Sequence, residues 1–519
     1  MYDAIVIGAG HNGLTAAVLL QQAGLRTVVL EAKRYAGGMA STVELFDGYR
    51  FEIAGSLQFP TSAVVSKALG LDSLPTVHLD VMSVSLRGTG EPDDKPLVYY
   101  TDLVELMTHL ETDHGSDVVL GMAELAAWAA GPTRAMGRFD AGLPPRTRAE
   151  MLALATTDDE RRAIEEMLSA SAGEVLDRFI PHQHGALRGM LAFLACNSQY
   201  RGPLSPGSAY GFAFGFAVPD ENASLMTKLE GGIGTLTRHL EQLYGDAGGE
   251  LRLRTAVSAI TTTGGRVTGV VTDAGEPVEA PVVVSAIDPG RTVLELVGDR
   301  APAPVRDRLA AVDHRGSYVQ MHFALDGAPE FAAPYEVLDD PRMQAAIGLF
   351  STPEELQQQW EDCRRGVVPA DPAIAFQVPS AQDPSLAPPG KHAASAYSLW
   401  FPVEGAAADP AEYARLKAEM GQRVIDKITR IAPNFAGLVL KHTTFTPKHM
   451  GTMFGAPSGD WAHGLIHPEQ MGEHRPGPVG WHDLPLGVDG LYLGSAGCHG
   501  GPGITFIPGY NAAQAVLTR

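Results

Sequence analysis

The N-terminal segment combines an apolar run, a glycine-rich turn and a second apolar run. Residues 2–7 are mostly apolar and predict a buried parallel strand, because such strands are covered on both faces. Helix-forming residues at 14–23 follow and stop at Gly24, a residue type common just past a helix end. Residues 27–30 predict a second strand that ends at Glu31. This order of strand, glycine turn, helix, strand and acid is typical of a dinucleotide-binding unit.

The glycines after the first strand have separate physical roles. Gly8 permits a tight turn, Gly10 lets backbone approach a pyrophosphate, and Gly13 lets the helix pack closely on the strand. Phosphates would then lie at the helix N-terminus, where backbone N–H groups lack partners. The Glu31 carboxylate would accept hydrogen bonds from ribose hydroxyls. Since the glycine spacing alone is weak evidence, the prediction depends on the agreement of all these elements.

A second glycine pair, Gly37 and Gly38, lies within residues 32–42 and is not part of the general nicotinamide-nucleotide pattern. The extended pattern resembles the flavoprotein family of phytoene desaturases, carotenoid isomerases and retinol saturases, with monoamine oxidases and protoporphyrinogen oxidases as more distant relatives. The resemblance implies FAD as the cofactor, with the glycine pair against its phosphates and the flavin edge. Family members commonly have Arg after the pair, where this chain has Met39, so that phosphate contact is missing.

Later segments extend the resemblance to nearly the whole chain. Residues 49–56 resemble the stretch that leads toward the flavin ring, and residues 229–236 precede a helix and a strand-like segment at 251–260. In the family, the residue matching Val257 contacts the adenine through its backbone. Residues 490–514 again form a strand, glycine turn and helix, and the family uses this helix start at the flavin N1 and O2 edge. The predicted cofactor-binding residues are therefore Gly8, Gly10, His11, Asn12, Gly13, Glu31, Gly37, Gly38, Met39, Gly55, Ser56, Val257, Gly494, Gly503 and Ile504.

The predicted fold is α/β, with a Rossmann-like, glutathione-reductase-like FAD-binding domain and a discontinuous α+β substrate domain. The FAD-binding domain is assigned to residues 1–56, 225–299 and 479–519, which contain the matching segments. Residues 57–224 and 300–478 show no dinucleotide pattern and are assigned to the substrate-binding domain.

Residues 210–216 alternate an aromatic residue with glycine or alanine. This period of two predicts a strand with one aromatic face and one bare face. One interpretation is an apolar wall for a substrate. The other is an ordinary core strand or buried segment, because aromatic stripes usually pack in cores.

Two residues are candidates for a catalytic role. His463 lies in a segment similar to a short His-Gly segment of bacterial and mitochondrial members of the wider family, and a structural histidine is the alternative interpretation. Lys228 precedes the pair Gly231 and Gly232 and is a candidate to approach the flavin, as lysines do in amine oxidases. A surface lysine is the alternative for Lys228.

Two further patterns lead to negative predictions. The spacing of His463 and His467 would suit metal ligands on a helix, but Gly464 and Pro468 disfavour a helix, so no metal site is predicted. The neighbours Cys498 and His499 suggest covalent flavin attachment. Most flavoproteins hold FAD by binding and orientation, so non-covalent binding is predicted.

Charge and cysteine content restrict the partners and the compartment. Lys and Arg total 39 against 60 Asp and Glu, a formal net charge of −21, so nucleic acid is not expected as a partner. Insertion of apolar loops leaves peripheral membrane contact open, although the charge does not indicate it. The three cysteines contain no CxxC pair, which argues against a dithiol redox centre. With no apolar run of spanning length and no room for a signal peptide before Tyr2, a cytoplasmic location is expected.

The first functional hypothesis is an FAD-dependent desaturase or dehydrogenase of a largely apolar, polyene-like substrate. Hydride transfer to a flavin requires placement of a C–H bond and no catalytic triad. The second hypothesis is a redox-neutral isomerase or a double-bond reductase. The third is a scaffold that binds FAD or lipid without turnover, since a fold alone does not establish catalysis. The sequence indicates neither the electron acceptor nor the oligomeric state.

Overall fold

The computed structural model describes residues 2–56, 60–142, 144–217, 227–316, 318–403 and 409–519, so the predicted domain boundaries at 57 and at 224–225 lie outside the described residues. The strands are β1 Ala4–Ile7, β2 Thr27–Leu30, β3 Thr42–Phe46, β4 Tyr49–Glu52, β5 Thr76–Val77, β6 Val81–Leu86, β7 Leu97–Tyr100, β8 Lys228–Leu229, β9 Glu250–Arg252, β10 Val257–Thr263, β11 Arg266–Thr272, β12 Pro277–Glu279, β13 Val283–Ser285, β14 Tyr318–Leu325, β15 Ile347–Leu349, β16 Ile374–Gln377, β17 His392–Leu399, β18 Val439–Phe445 and β19 Leu491–Leu493. The helices are α1 His11–Gln22, α2 Ala63–Leu69, α3 Leu103–His109, α4 Ser116–Met136, α5 Arg148–Ala153, α6 Asp158–Ser169, α7 Ala172–Phe179, α8 Gly185–Ala195, α9 Tyr210–Phe216, α10 Gly234–Asp246, α11 Ala303–Ala310, α12 Pro353–Arg364, α13 Pro410–Ile431, α14 Phe435–Leu438, α15 Pro447–Phe454 and α16 Ile507–Leu517. Within the described ranges, none of these helices has both the length and the apolarity that a membrane span requires.

The first sheet is parallel and has the N-terminal strand at its centre. Its strand order is β19-β13-β1-β2-β9, and each neighbouring pair is parallel. Ile5 lies opposite Val28 on one side and opposite Val283 on the other. All residues of β1, β2, β13 and β19 are buried, as parallel strands covered on both faces should be. The sheet therefore unites segments from both ends and from the middle of the chain.

Glycines let helices approach this sheet and each other closely. Helix α1 packs against β1, β2, α10 and α16. A Cβ atom on Gly13 would lie 1.9 Å from the carbonyl oxygen of Gly8, and one on Gly509 would lie 2.1 Å from that of Asn12. No side chain fits at either contact, so the start of α1 is held against the turn after β1 and against α16.

The second sheet is mixed and forms a separate layer with its own core. Its order is β18-β14-β17-β16-β15-β6-β7, with β15 and β6 parallel and the other neighbours antiparallel. Helix α13 places Val424 and Ile428, one turn apart, in the same buried cluster as Met321 and Phe323 of β14. The predicted α/β class with a Rossmann-like parallel sheet is confirmed.

The strand-like segment predicted at 251–260 is two strands in different sheets. β9 ends at Arg252 in the parallel sheet, and β10 begins at Val257 in a small antiparallel sheet with β11 and β12. Between them Arg254 has a φ of +53°, and its N–H donates to the carbonyl of Lys33. This left-handed residue turns the chain, which hydrophobic periodicity alone does not reveal.

The strand predicted at residues 210–216 is wrong, because these residues form helix α9. Phe212 and Phe216 stack in parallel with ring centroids 6.1 Å apart, as residues four apart on a helix do. A Cβ on Gly211 would lie 1.9 Å from the carbonyl oxygen of Ala195, so the small residues of this segment allow α9 to lie directly against α8. The alternation therefore results from close helix packing, and the interpretation of residues 210–216 as a buried segment is correct.

Candidate cofactor and substrate site

A cleft with a volume of about 490 Å³ lies where the carboxyl ends of β1, β2 and β13 face the second sheet. Ligands of α/β proteins usually bind outside the carboxyl ends of parallel strands. Of the residues predicted to bind the cofactor, those that line this cleft are Gly8, Gly10, His11, Asn12, Glu31, Gly38, Met39, Gly55, Ser56, Val257, Gly503 and Ile504. The three others, Gly13, Gly37 and Gly494, lie behind the lining, and a Cβ on each would collide with a neighbour at 1.9, 2.5 and 2.9 Å, respectively.

The turn after β1 forms one wall of the cleft. Gly8 has a φ of +94°, and its N–H donates to the carbonyl of Leu30, which closes the turn on β2. Gly10 precedes α1 in an extended conformation, and a Cβ there would meet nothing within 4 Å. The open space beside Gly10 and the unpaired N–H groups of the first turn of α1 provide a place for a phosphate group.

Glu31 ends β2 and is anchored by the backbone. Its carboxylate accepts hydrogen bonds from the N–H groups of Ala9 at 2.7 Å and Lys33 at 2.8 Å, and the side chain is buried. The carbonyl of Glu31 also accepts from the N–H of Thr255, which brings the following Val257 to the cleft. Each carboxylate oxygen has a further lone pair, so the fixed carboxylate can still accept a hydrogen bond from a ligand hydroxyl.

The C-terminal turn forms the opposite wall, next to the start of α1. Gly503 has a φ of +102°, and Phe506, with a φ of +62°, precedes α16. The ring of Phe506 lies edge-on to His11 at 5.6 Å between centroids. Thr505 donates its hydroxyl to the carbonyl of Gly500 at 2.6 Å, which fixes the turn. The two predicted glycine turns therefore meet at one end of the first sheet.

An aromatic group covers the end of the cleft that the second sheet contributes. Tyr318 on β14 lies 5.9 Å from Tyr397 on β17 and 6.4 Å from Trp461, measured between ring centroids. Gln320, opposite Tyr397 in the strand register, and Asn197 also line the cleft. Apart from the neighbourhood of Trp461, sequence reasoning missed these residues, because they lie on segments far apart in sequence and carry no shared motif.

His463 lines the cleft and is held in a strained turn. Its φ is +52°, which is uncommon for a residue other than glycine. Asp460 fixes the turn by accepting hydrogen bonds from the N–H groups of Ala462 and Gly464, and Arg475 donates to the carbonyls of the same two residues. Burial lowers the pKa of His463, so the ring is neutral near pH 7. The position suits the predicted role at the cleft, which stays a prediction.

Lys228 is placed away from the cleft, contrary to the prediction that it approaches the flavin. It is also not a surface lysine, because it is only 6% exposed. Its Nζ donates to the carbonyl of Ala345 at 2.8 Å and to Oε1 of Gln377 at 3.2 Å. Burial lowers its pKa, and burial raises the pKa of the neighbouring Glu52 to about 7. Lys228 therefore ties the segment before α10 to the second sheet.

The other histidines and cysteines considered above lie outside the cleft lining. His467 is buried, and its Nδ1 lies 3.6 Å from Glu469. In the part of the chain that the structure describes, no group of three or more His, Cys, Asp or Glu side chains is placed to hold a metal ion. Cys498 is buried, and burial raises the pKa of its thiol to about 11. Neither Cys498 nor His499 lines the cleft described here.

The cleft fits a dinucleotide that extends from Glu31 toward the aromatic group. Buried polar atoms without a hydrogen-bond partner among the described residues are found along it: Nε2 of His11, Oε1 of Gln320 and Nε1 of Trp461. These atoms are available to form hydrogen bonds with a molecule bound in the cleft. The glycine turns, the fixed carboxylate and the unsatisfied groups together suit FAD.

Comparison with known proteins agrees with this site. The chain is 29% identical to rat (Rattus norvegicus) pyridine nucleotide-disulfide oxidoreductase domain-containing protein 2 over 550 residues, covering 99% of this chain and 93% of that protein. It is 27% identical to the lycopene-forming phytoene desaturase of Pseudescherichia vulneris, covering 100% and 99% of the two chains. A solved structure of putrescine oxidase bound to putrescine has the same fold, with a TM-score of 0.62, 15% identity and coverage of 100% and 99%.

A family model settles the broader relationship. The model described as flavin containing amine oxidoreductase matches residues 13–515, which is nearly the whole chain. The resemblance to phytoene desaturases is confirmed, and so are FAD as the cofactor and the enzymatic nature of the protein. The chain belongs to the family of flavin-containing amine oxidoreductases, and it is an FAD-dependent oxidoreductase.

Proposed function

We propose that this enzyme removes hydrogen from a largely apolar organic substrate of a polyene-like kind, as a desaturase or dehydrogenase. The observation that carries the proposal is the aromatic group formed by Tyr318, Tyr397 and Trp461 at one end of the cleft. Aromatic walls with a few polar groups are the usual lining of sites for apolar ligands. Similarity over the full length to a phytoene desaturase supports the same substrate class.

The two tyrosines supply an apolar surface and no acid–base group at neutral pH. Burial raises the pKa of both hydroxyls, and that of Tyr397 lies at about 12. Both rings therefore stay neutral, and their faces are suited to hold a hydrocarbon chain and to exclude water. When bound, FAD supplies the chemistry that accepts a hydride from a correctly placed C–H bond.

The acidic side chains of the cleft do not favour an amine as substrate. Among the described lining residues, the carboxylates are Glu31 and Asp288. Glu31 is engaged by two backbone N–H groups at the nucleotide end, and Asp288 accepts from the N–H of Arg291. Lys33 also lines the cleft, and so does Arg291, whose guanidinium is paired with Glu295 at 3.1 Å. In this lining Oδ2 of Asp288 is the one described carboxylate oxygen without a hydrogen-bond partner, and the aromatic group carries no charge, which favours a neutral apolar substrate.

The experiment is anaerobic mixing of the purified, yellow enzyme with candidate substrates. We expect a polyene hydrocarbon to bleach the flavin absorbance and to lose two hydrogens in the product, as measured by mass spectrometry. Bleaching by a primary amine without bleaching by any hydrocarbon would contradict the proposal. Mixing the same substrates with enzyme that dithionite has first reduced tests the alternatives. A product of unchanged mass would indicate the isomerase, and a product that has gained two hydrogens, with return of the yellow absorbance, would indicate the reductase. Admission of oxygen or of a soluble quinone afterwards tests which class of acceptor reoxidises the enzyme.

A further inference from the structure

A second cavity, with a volume of about 460 Å³, lies beside the cofactor cleft. Its outer wall includes the exposed residues Glu150, His474, His482 and Asp483, so this cavity faces solvent. Its inner wall includes the buried Arg475 and the largely buried His314. The cavity therefore runs from the surface to the wall that separates it from the cleft.

Among the described residues, only Asp288 and His463 line both the cleft and the second cavity. Both side chains can bind a proton. Oδ2 of Asp288 lies 3.8 Å from Nδ1 of His463, and neither atom has a hydrogen-bond partner in the described part of the chain. The side chain of Asp288 is 1% exposed and that of His463 is 14% exposed. The partition between the two spaces thus contains a nearly buried, unsatisfied acid–base pair.

The surrounding structure holds both members of this pair in place. Oδ1 of Asp288 accepts from the N–H of Arg291 at 2.9 Å, which leaves Oδ2 toward His463. The left-handed conformation of His463 costs energy and persists because the turn around it is braced. Arg475 also donates a hydrogen bond to the carbonyl of Ala496 at 2.6 Å, and this bond joins that turn to the segment before the C-terminal helix. Strain at such a braced position is typical of functional sites.

Other charged groups lie near Asp288 and His463, on the elements that pack against this pair. On the side of the second cavity, Nδ1 of His314 lies 3.4 Å from Oδ2 of Asp460. Burial lowers the pKa of His463, whereas the charges of Asp288 and Asp460 act to raise it, and those of His314 and Arg475 act to lower it. On the side of the cleft, burial and the charge of His463 keep the pKa of His11 at about 4. Protonation of His463 therefore depends on charged groups on the side of the cleft and on the side of the second cavity.

We propose that His463 and Asp288 carry protons between the cofactor cleft and the second, solvent-facing cavity. The role rests on the proposed oxidation of a C–H substrate: the substrate would lose a hydride, which FAD would accept, and one proton, which must leave the cleft. Neutral His463 accepts that proton, passes it to the Oδ2 atom of Asp288, and the proton leaves to water in the second cavity. No further oxidant or reductant takes part in this transfer.

Proton uptake during reduction of the flavin by reduced methyl viologen tests the route without any organic substrate. This dye transfers electrons only, so every proton that accompanies reduction must come from solvent. Stopped-flow measurements in weak buffer would follow the flavin absorbance together with a fluorescent pH indicator. In the wild-type holoenzyme we expect proton uptake to keep pace with bleaching. In H463Q and in D288N we expect proton uptake to lag by on the order of a hundredfold, as loss of a positioned acid or base does.

The matched control is His78→Gln, which changes an exposed histidine that lines neither the cleft nor the second cavity. We expect wild-type proton uptake in this variant. Equal rates in wild type, H463Q and D288N would overturn the proposal, and so would an equal lag in H78Q. If H463Q fails to retain FAD, D288N provides the same test. Because the reductant is a dye, failure of the proposed substrate class would leave this result unaffected.

Discussion

At the scale of single residues, the glycines of the segment after β1 have different structural roles. Gly13 has no room for a side chain, since a Cβ would lie 1.9 Å from the backbone of Gly8. Gly10 has a φ of −70°, which any residue adopts, and a Cβ there would enter open space. Gly13 is therefore needed for packing of the fold, whereas Gly10 keeps the cleft free for a ligand.

We predict opposite effects for alanine at these two positions. G13A forces backbone apart and should lower the free energy of unfolding by about 3 kcal/mol or more. G10A should change it by no more than about 1 kcal/mol but should weaken FAD binding by roughly tenfold or more, because the methyl group occupies the cleft. Chemical denaturation measures the first effect, and fluorescence titration of FAD measures the second. Wild-type FAD affinity in a stable G10A would show that the cofactor does not approach this turn.

At the scale of elements, the N-terminal unit could be predicted and the substrate end could not. The strand, turn and helix around Gly8 follow from local preferences, since each element is encoded by adjacent residues. The strand predicted for residues 210–216 is wrong, because these residues pack against helix α8, where a Cβ on Gly211 would lie 1.9 Å from the carbonyl oxygen of Ala195. Tyr318 and Tyr397 meet only because β14 and β17, which are far apart in sequence, pair in one register, and local sequence patterns do not reveal which distant strands pair.

We predict that the pair of strands β14 and β17 contributes an apolar surface and not a hydroxyl. Tyr397→Phe keeps the ring, so the rate of flavin bleaching by the polyene should stay within roughly twofold of wild type. Tyr397→Ala removes the ring and should lower that rate by on the order of tenfold, since poorly positioned substrates react slowly. Rapid-mixing absorbance measures both rates, and equal FAD content serves as the control. A large loss in the phenylalanine variant would instead assign a role to the hydroxyl.

At the scale of the whole molecule, buried neutral histidines make the stability of the fold depend on pH. Burial lowers the pKa of His322 to about 3 and those of His11 and His499 to about 4. In the unfolded chain these rings have a pKa of about 6.5. The unfolded chain therefore binds more protons below that pH, and stability is complete above about pH 6.5 and declines as the pH falls toward the folded-state values. Acid should thus destabilise this enzyme well above the pKa of its carboxylates.

His322 allows the effect of one buried histidine on stability to be measured apart from the cleft, because it lies outside the cleft lining. The ring is fully buried between Phe51 and Phe445, and its Nδ1 lies 2.9 Å from Oγ of Ser395. Between pH 7 and pH 5 its protonation in the unfolded chain should cost the wild type about 2 kcal/mol of stability. H322Q retains a neutral amide that can bond to Ser395 and does not titrate, so it should lose about 2 kcal/mol less than wild type over the same interval. Urea denaturation with saturating FAD at the two pH values measures the difference, and His482→Gln, at an exposed site, should behave as wild type. Parallel losses in wild type and H322Q would mean that His322 is protonated in the folded enzyme, and its ring would then need a negative partner that its aromatic surroundings do not supply.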